Sequence, residues 1–197
     1  MARPFVDEAT WGVPHRTQAE LEAGLAAIRA SPASDGRLEL IVSRPSPGQR
    51  QIVEEGRLDL GDGLVGDSWS YRPGPGPQRG APEPDRQLTL INARVAVLIG
   101  GDPEGGAQSG DQLHLDLDLS EANLPAGTRL HLGAAVIEVT EEPHTGCAKF
   151  TERFGVDALR FVNSPIGREL HLRGVNARVI VPGTIRRGDT VRVERPA

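Results

Sequence analysis

A strict alternation of leucine with polar residues between positions 112 and 119 is the clearest pattern in the chain. The four leucines at the odd positions from 113 to 119 fall on one side, and His114, Asp116 and Asp118 fall on the other. A period of two residues is typical of a half-buried β-strand, because successive side chains of a strand point to opposite faces. This segment is therefore predicted to be a strand with its leucines in the core and its polar side chains in solvent.

Several other short segments have apolar or β-branched residues in the same kind of pattern, and glycine or proline turns separate them. They are residues 38–42, 51–60, 87–91, 128–132, 134–140, 177–181 and 190–193. Many short strands at this spacing favour a barrel or a sandwich over a doubly wound sheet. The predicted fold class is therefore mainly β and barrel-like, with a few short peripheral helices.

Three segments show helical signals instead. Residues 17–30 begin with a capping box, Thr17 to Glu20, and Asn92 can cap a short helix that runs through Ile99. From position 147 the apolar residues are spaced four apart, and Gly155 is a plausible C-terminal cap before a second short helix over 156–162. Two stretches rich in glycine and proline, 72–85 and 100–110, are predicted to be exposed loops that bury little.

The length of 197 residues suits one domain, here predicted as residues 37–197 after a helical N-terminal extension over 1–36. Aromatic residues make up only 4% of the chain, so aliphatic side chains must fill most of the core. No stretch approaches the roughly 20 apolar residues that a membrane-spanning helix needs, and cytoplasmic localisation is the expectation. The single cysteine excludes an internal disulfide and every metal site that needs several cysteines of one chain.

Charge is distributed unevenly along the chain. Residues 143–197 contain ten basic and five acidic side chains, whereas the net charge of the whole chain is -5. A basic final quarter on an otherwise acidic chain indicates a small anionic ligand. Nucleic-acid binding is not expected, because the basic stripe rich in lysine or interleaved aromatics that such proteins show is missing.

The only cysteine, Cys147, stands at the start of a predicted helix, with His144 before it and Lys149 and Arg153 after it. Unpaired amides and the dipole at a helix N-terminus stabilise a thiolate, and so do nearby basic groups. A thiolate can act as a nucleophile, carry a persulfide sulfur or bind a soft metal. The alternative is a buried structural cysteine, and the local sequence does not decide between the two.

Six segments together resemble the MOSC domain family, named for the C-terminal domain of molybdenum-cofactor sulfurases. They read SEANL at 120–124, GTRLHLG at 127–133, AVIEVT at 135–140, HTGCAKF at 144–150, and RGVNARV at 173–179 followed by PGTIRRGD at 182–189. The GLVGD turn at 63–67 is similar to an early Gly-Asp turn of the family. The resemblance extends over about residues 38–193, almost the whole chain.

This resemblance implies a barrel-like fold in which Cys147 occupies the cysteine position of the family. In related proteins that cysteine ligates molybdenum or handles the cofactor and its sulfur, so molybdopterin is the implied cofactor and Cys147 the implied metal ligand. Arginine pairs well with the phosphate of a pterin cofactor. The residues expected to contact the cofactor are Lys149, His144, Arg173, Asn176, Arg178, Arg186 and Asp67. Asp67 could instead close an Asx-turn, and Asn176 could instead satisfy a strand end.

Three hypotheses about function remain open from the sequence. The first is a molybdenum-dependent reductase of N-hydroxylated compounds, which requires an electron-donor protein. The second is a sulfur carrier that holds a persulfide on Cys147 and requires a desulfurase to load it. The third is an interaction domain in which Cys147 is inert. Neither a pyridoxal-phosphate-dependent desulfurase domain nor an iron–sulfur module is recognisable in the chain.

Overall fold

The computed structural model describes residues 6–7, 12–71 and 82–196, and within these ranges it contains a mainly β fold with short helices around it. The strands are β1 (Val6–Asp7), β2 (Gly36–Ser43), β3 (Gln49–Val53), β4 (Glu55–Asp59), β5 (Gly63–Leu64), β6 (Leu88–Asn92), β7 (Leu113–Asp116), β8 (Arg129–Leu132), β9 (Ala135–Val139), β10 (Val175–Val181), β11 (Gly183–Arg186) and β12 (Thr190–Glu194). The α-helices are α1 (Gln18–Ala23), α2 (Leu25–Arg29), α3 (Ala93–Gly100), α4 (Pro103–Gly106), α5 (Ala148–Asn163) and α6 (Pro165–Glu169).

Seven strands close into a barrel. Their order is β2-β12-β8-β9-β10-β6-β7, and β7 pairs with β2 to complete the ring. All these pairs are antiparallel except β6 with β7, which is parallel. A second small sheet, ordered β11-β4-β5, lies beside the ring. The prediction of a barrel-like, mainly β fold with a few short helices is confirmed.

The barrel interior is aliphatic, as the low aromatic content requires. The leucines of the alternating segment belong to it, and all four are at most 1% exposed. Strand β7 itself is shorter than predicted and ends at Asp116. The expectation of solvated polar side chains is wrong at His114, which is only 2% exposed, because α3 packs against the outer face of β7.

A second apolar cluster lies outside the barrel, where α1, α3 and α5 pack together. The predicted helix over 17–30 is interrupted at Gly24, which separates α1 from α2, and its capping box is present as predicted. Asn92 caps α3 as predicted, by accepting hydrogen bonds from the amides of Arg94 and Val95. Helix α5 contains a kink at Gly155, where φ is 86° and ψ is 168°, so the two successive helices predicted there are confirmed.

The predicted exposed loop over 100–110 is wrong. Helix α4 and a following 3₁₀ turn at Ala107–Ser109 fill it, and its residues from Gly105 to Ser109 are buried. Glycine allows this close packing, since a Cβ at Gly106 would lie 2.8 Å from the carbonyl oxygen of Ala96 in α3. The other predicted loop falls mostly outside the described residues, and its last part enters a 3₁₀ turn at Pro84–Arg86. Among the described residues, no helix is both long and apolar enough to cross a bilayer.

Candidate functional site

Cys147 lies at the surface, at the end of the loop that connects β9 to α5. It is the N-cap residue of α5, its backbone is extended, and its side chain makes no capping hydrogen bond. The residue is exposed and its thiol is free of any disulfide. The alternative of a buried structural cysteine is therefore wrong, and the thiol is open to a ligand or a reagent.

Hydrogen bonds from neighbouring elements hold the loop that carries Cys147. The Asn176 side chain, on β10, donates through Nδ2 to the carbonyl of Glu142 at 3.0 Å. The backbone carbonyl of Asn176 accepts from the amide of Thr140, also at 3.0 Å. At the other end of the loop, the amide of Gly146 donates to Oδ1 of Asn163 at 3.1 Å. Asn176 thus anchors the loop to the strand, and this contact is the strand-end role that the sequence left open.

Asp111 joins two of the predicted cofactor-contacting residues. Its Oδ1 lies 2.7 Å from Nε2 of His144, and Nη1 of Arg173 donates to both of its carboxylate oxygens, at 3.0 Å and 2.7 Å. The Asp111 side chain is fully buried. The Arg173 guanidinium also lies over the ring of Phe150, 5.1 Å from its centroid, in the first turn of α5. The site therefore links the Cys147 loop, helix α5 and the start of β10 through one carboxylate.

Burial and the charges of Asp111, His144 and Arg173 determine which of the three side chains carry a proton. Burial alone would raise the pKa of Asp111, but Arg173 and His144 together hold the pKa of that carboxyl well below its usual range. Burial lowers the pKa of His144, and the charge of Arg173 lowers it further. At neutral pH the pair is thus an ionised Asp111 and a neutral His144. The hydrogen bond to Asp111 places the imidazole proton on Nε2, which leaves Nδ1 as the basic nitrogen.

Three arginines from distant parts of the chain donate to consecutive backbone carbonyls in the turn before Asp111. Arg153 donates to Gln108 at 2.9 Å, Arg173 to Ser109 at 3.1 Å and Arg44 to Gly110 at 2.8 Å. Burial lowers the pKa of Arg153, and the charge of the nearby Arg173 acts in the same direction. The turn at 108–110 therefore gathers guanidinium groups at one end of the barrel, close to α5.

Asp67 binds Arg44, one of the three arginines at the turn 108–110. Within the part of the chain that the structure describes, it makes no direct contact with Cys147. Its two carboxylate oxygens accept from Nε and Nη2 of Arg44, at 2.8 Å and 2.9 Å, and the pair is buried. The same carboxylate accepts from the amide of Trp69, two residues later, at 2.9 Å. Asp67 thus forms the Asx-turn that the sequence suggested, and it also orients an arginine that the sequence did not single out.

A groove of about 540 Å³ lies beside this cluster. One wall is the loop before Cys147, which includes His144, and other walls come from the end of α5, from α6 and from residues 173–175. Arg168, His171 and Arg173 give the groove basic groups, and Glu141 and Glu142 give it acidic ones. The groove is large enough for a small organic ligand with an anionic group.

The remaining predicted contact residues are placed differently. Lys149 is exposed in the first turn of α5, two residues after Cys147. Arg178 forms ion pairs with Asp85 and Glu138 on the outside of the barrel, and Arg186 pairs with Glu55 in the small sheet. The structure thus brings His144, Arg173 and Asn176 together around the Cys147 loop and places Arg178 and Arg186 in separate ion pairs.

Comparison with known proteins agrees with this architecture. The family model described as "MOSC domain" matches residues 108–192. The fold is similar to that of three solved structures: the YuaD protein from Bacillus subtilis (18% identity, 82% of this chain and 97% of that chain, TM-score 0.61), YiiM from Escherichia coli (21%, 82% and 71%, 0.52) and YiiM from Geobacillus stearothermophilus (16%, 83% and 74%, 0.52). None of the curated proteins matches the chain.

At these identities the structural likeness concerns the fold alone. The matched range of the family model contains Asp111, His144 and Arg173, which hydrogen bonds join, and also Cys147 at the end of the loop that carries His144. The barrel agrees with the fold that the sequence motifs implied, and the role of Cys147 stays a prediction. Residues 108–192 of this chain therefore match the MOSC domain family, on a barrel fold that the chain shares with these solved structures.

Proposed function

We propose that this protein binds a molybdenum cofactor, with the Cys147 thiolate as the protein ligand of the metal. The observation that carries the proposal is the placement of Cys147, an exposed thiol with no capping hydrogen bond at the end of a loop that lines a groove. The loop is tied down at Glu142 and Gly146, so the thiol is held near a defined position. A thiolate is a soft ligand and suits molybdenum.

The described side chains around Cys147 are too few to complete the coordination of a metal, so a metal bound there would need further ligands from a cofactor. Within the described ranges, no three side chains of His, Cys, Asp or Glu are grouped closely enough to hold a metal ion. A metal bound at Cys147 therefore needs additional ligands from a cofactor, and the dithiolene sulfurs of a pterin provide them. The residues present thus fit a pterin-bound metal better than a bare ion.

The basic residues of the groove supply partners for the cofactor phosphate. Arg168, on α6, is exposed at the groove, and Arg173 forms part of its wall beside His144. A guanidinium binds a phosphate through two parallel hydrogen bonds and keeps its charge at every physiological pH. Lys149 adds a positive charge on the helix that begins at Cys147. We infer that Arg168 holds the phosphate. Arg173, whose guanidinium already binds Asp111 and the carbonyl of Ser109, and Lys149 add positive charge nearby.

Bound molybdenum would supply two-electron redox chemistry next to the groove, and N-hydroxylated compounds are the proposed substrates. Reduction of an N–O bond releases water and consumes protons. His144 lines the groove and can exchange a proton with such a substrate, since Asp111 fixes its Nε2–H and leaves Nδ1 available. Arg173 holds Asp111 ionised, so the imidazole keeps this orientation. The electrons must come from a partner protein.

The test is the molybdenum and pterin content of protein purified anaerobically from a host that makes the cofactor. Wild type is expected to hold close to one molybdenum per chain, and Cys147→Ala is expected to lose it. Arg178→Ala serves as a matched surface control, because Arg178 pairs with Asp85 and Glu138 away from the groove. Absence of molybdenum from the wild type, or its retention in Cys147→Ala, would overturn the proposal.

A sulfur carrier is the second candidate, because the same exposure of Cys147 is what a persulfide needs to reach a donor and an acceptor. This alternative predicts no metal but a thiol that accepts sulfur from a desulfurase. Incubation with a desulfurase and cysteine that carries a heavy sulfur isotope, followed by mass spectrometry, would detect the mass of one labelled sulfur atom added at Cys147. Molybdenum in the purified wild type would favour the cofactor-binding function, and its absence together with persulfide formation on Cys147 would favour the sulfur carrier.

A further inference from the structure

A second cavity, of about 510 Å³, lies outside the barrel and on a different face from the groove. It is open on one side, and its walls are α2, α3 and the outer faces of β2 and β7. Its wall is largely apolar and is formed by Ala27, Ile28, Leu40, Val97, Leu98 and Pro103. It shares no lining residue with the groove beside Cys147. A cavity of this size and apolar character suits a small organic molecule.

One buried polar group forms part of the same wall. His114 is 2% exposed, and its Nε2 has no hydrogen-bond partner among the described residues. The ring hydrogen-bonds to the backbone carbonyl of Asp111, which places the proton of the neutral ring on Nδ1. Nε2 is then a buried acceptor that lacks a donor. Buried polar groups are almost always paired in native proteins, so a missing partner at this atom is informative.

Charges at the mouth of the cavity are already paired with each other. Arg94 binds Asp116 with its Nε 2.7 Å from Oδ1. Arg187 binds Glu54 at 2.8 Å and also donates to the backbone carbonyl of Glu39. A charged ligand would have to compete with these internal pairs. A neutral ligand avoids that competition and leaves the apolar wall and His114 as the determinants of binding.

We propose that this cavity binds a neutral, mainly apolar small molecule that donates one O–H or N–H hydrogen bond to Nε2 of His114. The apolar wall covers the body of the ligand, and the single unpaired acceptor selects its orientation. The proposal is independent of the molybdenum cofactor. Asp111 lies between the cavity and the groove, because its carbonyl faces His114 and its carboxylate binds His144 and Arg173.

Phenol and toluene are a matched pair of probes, because they share one ring and differ in a single hydroxyl donor. Binding to the full chain is measured by ligand-observed NMR titration. Phenol is expected to bind saturably and more tightly than toluene, by about five- to tenfold, which is what one hydrogen bond to a buried acceptor contributes. Saturable binding of neither probe to the folded protein would overturn the proposal.

Two variants test whether the probes bind in this cavity. His114→Phe keeps the ring and removes the acceptor, so phenol affinity is expected to fall about five- to tenfold while toluene affinity stays unchanged. Val97→Trp adds bulk at the cavity wall from a position that is 38% exposed, and it is expected to abolish binding of both probes without disturbing the core. Phenol binding that survives Val97→Trp, or that does not respond to His114→Phe in a folded variant, would contradict the assignment.

Discussion

Asp111 joins two residues that the sequence pointed to, His144 and Arg173, although the sequence analysis did not single out Asp111 itself. Its carboxylate is buried, yet it binds both His144 and Arg173, and it remains ionised because these groups outweigh the cost of burial. A buried carboxylate of this kind is sensitive to loss of its charge, because its partner Arg173 is then left buried without compensation.

Asp111→Asn is therefore expected to lower the free energy of unfolding by about 3 kcal/mol, at the lower end of what breaking a buried ion pair costs. Asp85→Asn is the matched control, since Asp85 forms a half-exposed pair with Arg178. Exposed pairs contribute at most about 1 kcal/mol. Urea denaturation monitored by circular dichroism measures both, and equal losses in the two variants would contradict the role given to Asp111.

Among individual residues, the sequence analysis named Cys147, His144 and Arg173 as candidate site residues. It did not name Asp111 and Arg44. Cys147 and His144 stand out by residue type and spacing, and the family resemblance reinforces them. Asp111 follows Gly110 in a glycine-rich stretch that has the composition of a surface loop. No local pattern shows that Arg173, 62 residues later, will meet it. Contacts of that range depend on the barrel, which sequence periodicity does not place in three dimensions.

Helix α5 shows how an element can be shaped by one residue. Gly155 has φ 86° and ψ 168°, a conformation that is essentially restricted to glycine, and it turns the chain between two helical halves. A Cβ at this position would lie 3.1 Å from Cγ of His15. The first half of the helix presents Cys147 and Phe150 to the site, so the kink contributes to their placement.

Gly155→Ala is expected to reduce the free energy of unfolding by about 1–3 kcal/mol, the cost of a strained backbone conformation for a residue with a side chain. Gly12→Ala is the control, because a Cβ there meets no atom within 4 Å. That substitution is expected to change stability by less than about 0.5 kcal/mol. Thermal unfolding of both variants provides the measurement. A neutral Gly155→Ala would mean that the kink relaxes without cost.

Helices could be predicted from the sequence where capping residues marked their first turn. The capping box at Thr17 and Glu20 and the cap at Asn92 produced the helices that they indicated. The helix in the glycine-rich stretch 100–110 was not predicted, because the low hydrophobicity of this stretch resembles that of a loop. Its glycines instead allow α4 to pack against α3 at a distance that larger residues would prevent.

On the scale of the whole molecule, the buried neutral His114 links stability to pH. Burial lowers its pKa from 6.5 to about 4. Between these values the unfolded chain binds the proton that the folded chain excludes, so the free energy of unfolding falls as the pH falls. From pH 7.5 to pH 5 this one residue is expected to remove about 2 kcal/mol. Asp111 acts in a lower range, because its pKa is depressed from 3.8 and its contribution is lost below about pH 4.

Urea denaturation of wild type and His114→Phe at the two pH values isolates this effect. The variant is expected to lose about 2 kcal/mol less than the wild type on acidification, while the loss due to His144, whose pKa is also lowered, remains in both. Identical pH dependence in the two proteins would show that His114 is protonated without cost in the folded state.

Pairing of β2 with β12 has a consequence for synthesis. Gly36 lies opposite Val191, so the ring is completed by β12, which is made after the other six strands of the ring. β12 also pairs with β8, and until it emerges from the ribosome β8 keeps one edge open and β2 lacks its partner at Gly36 and Arg37. Open edges of this kind recruit other strands and lead to aggregation. A nascent chain that lacks β12 therefore exposes strand edges that can pair with other chains.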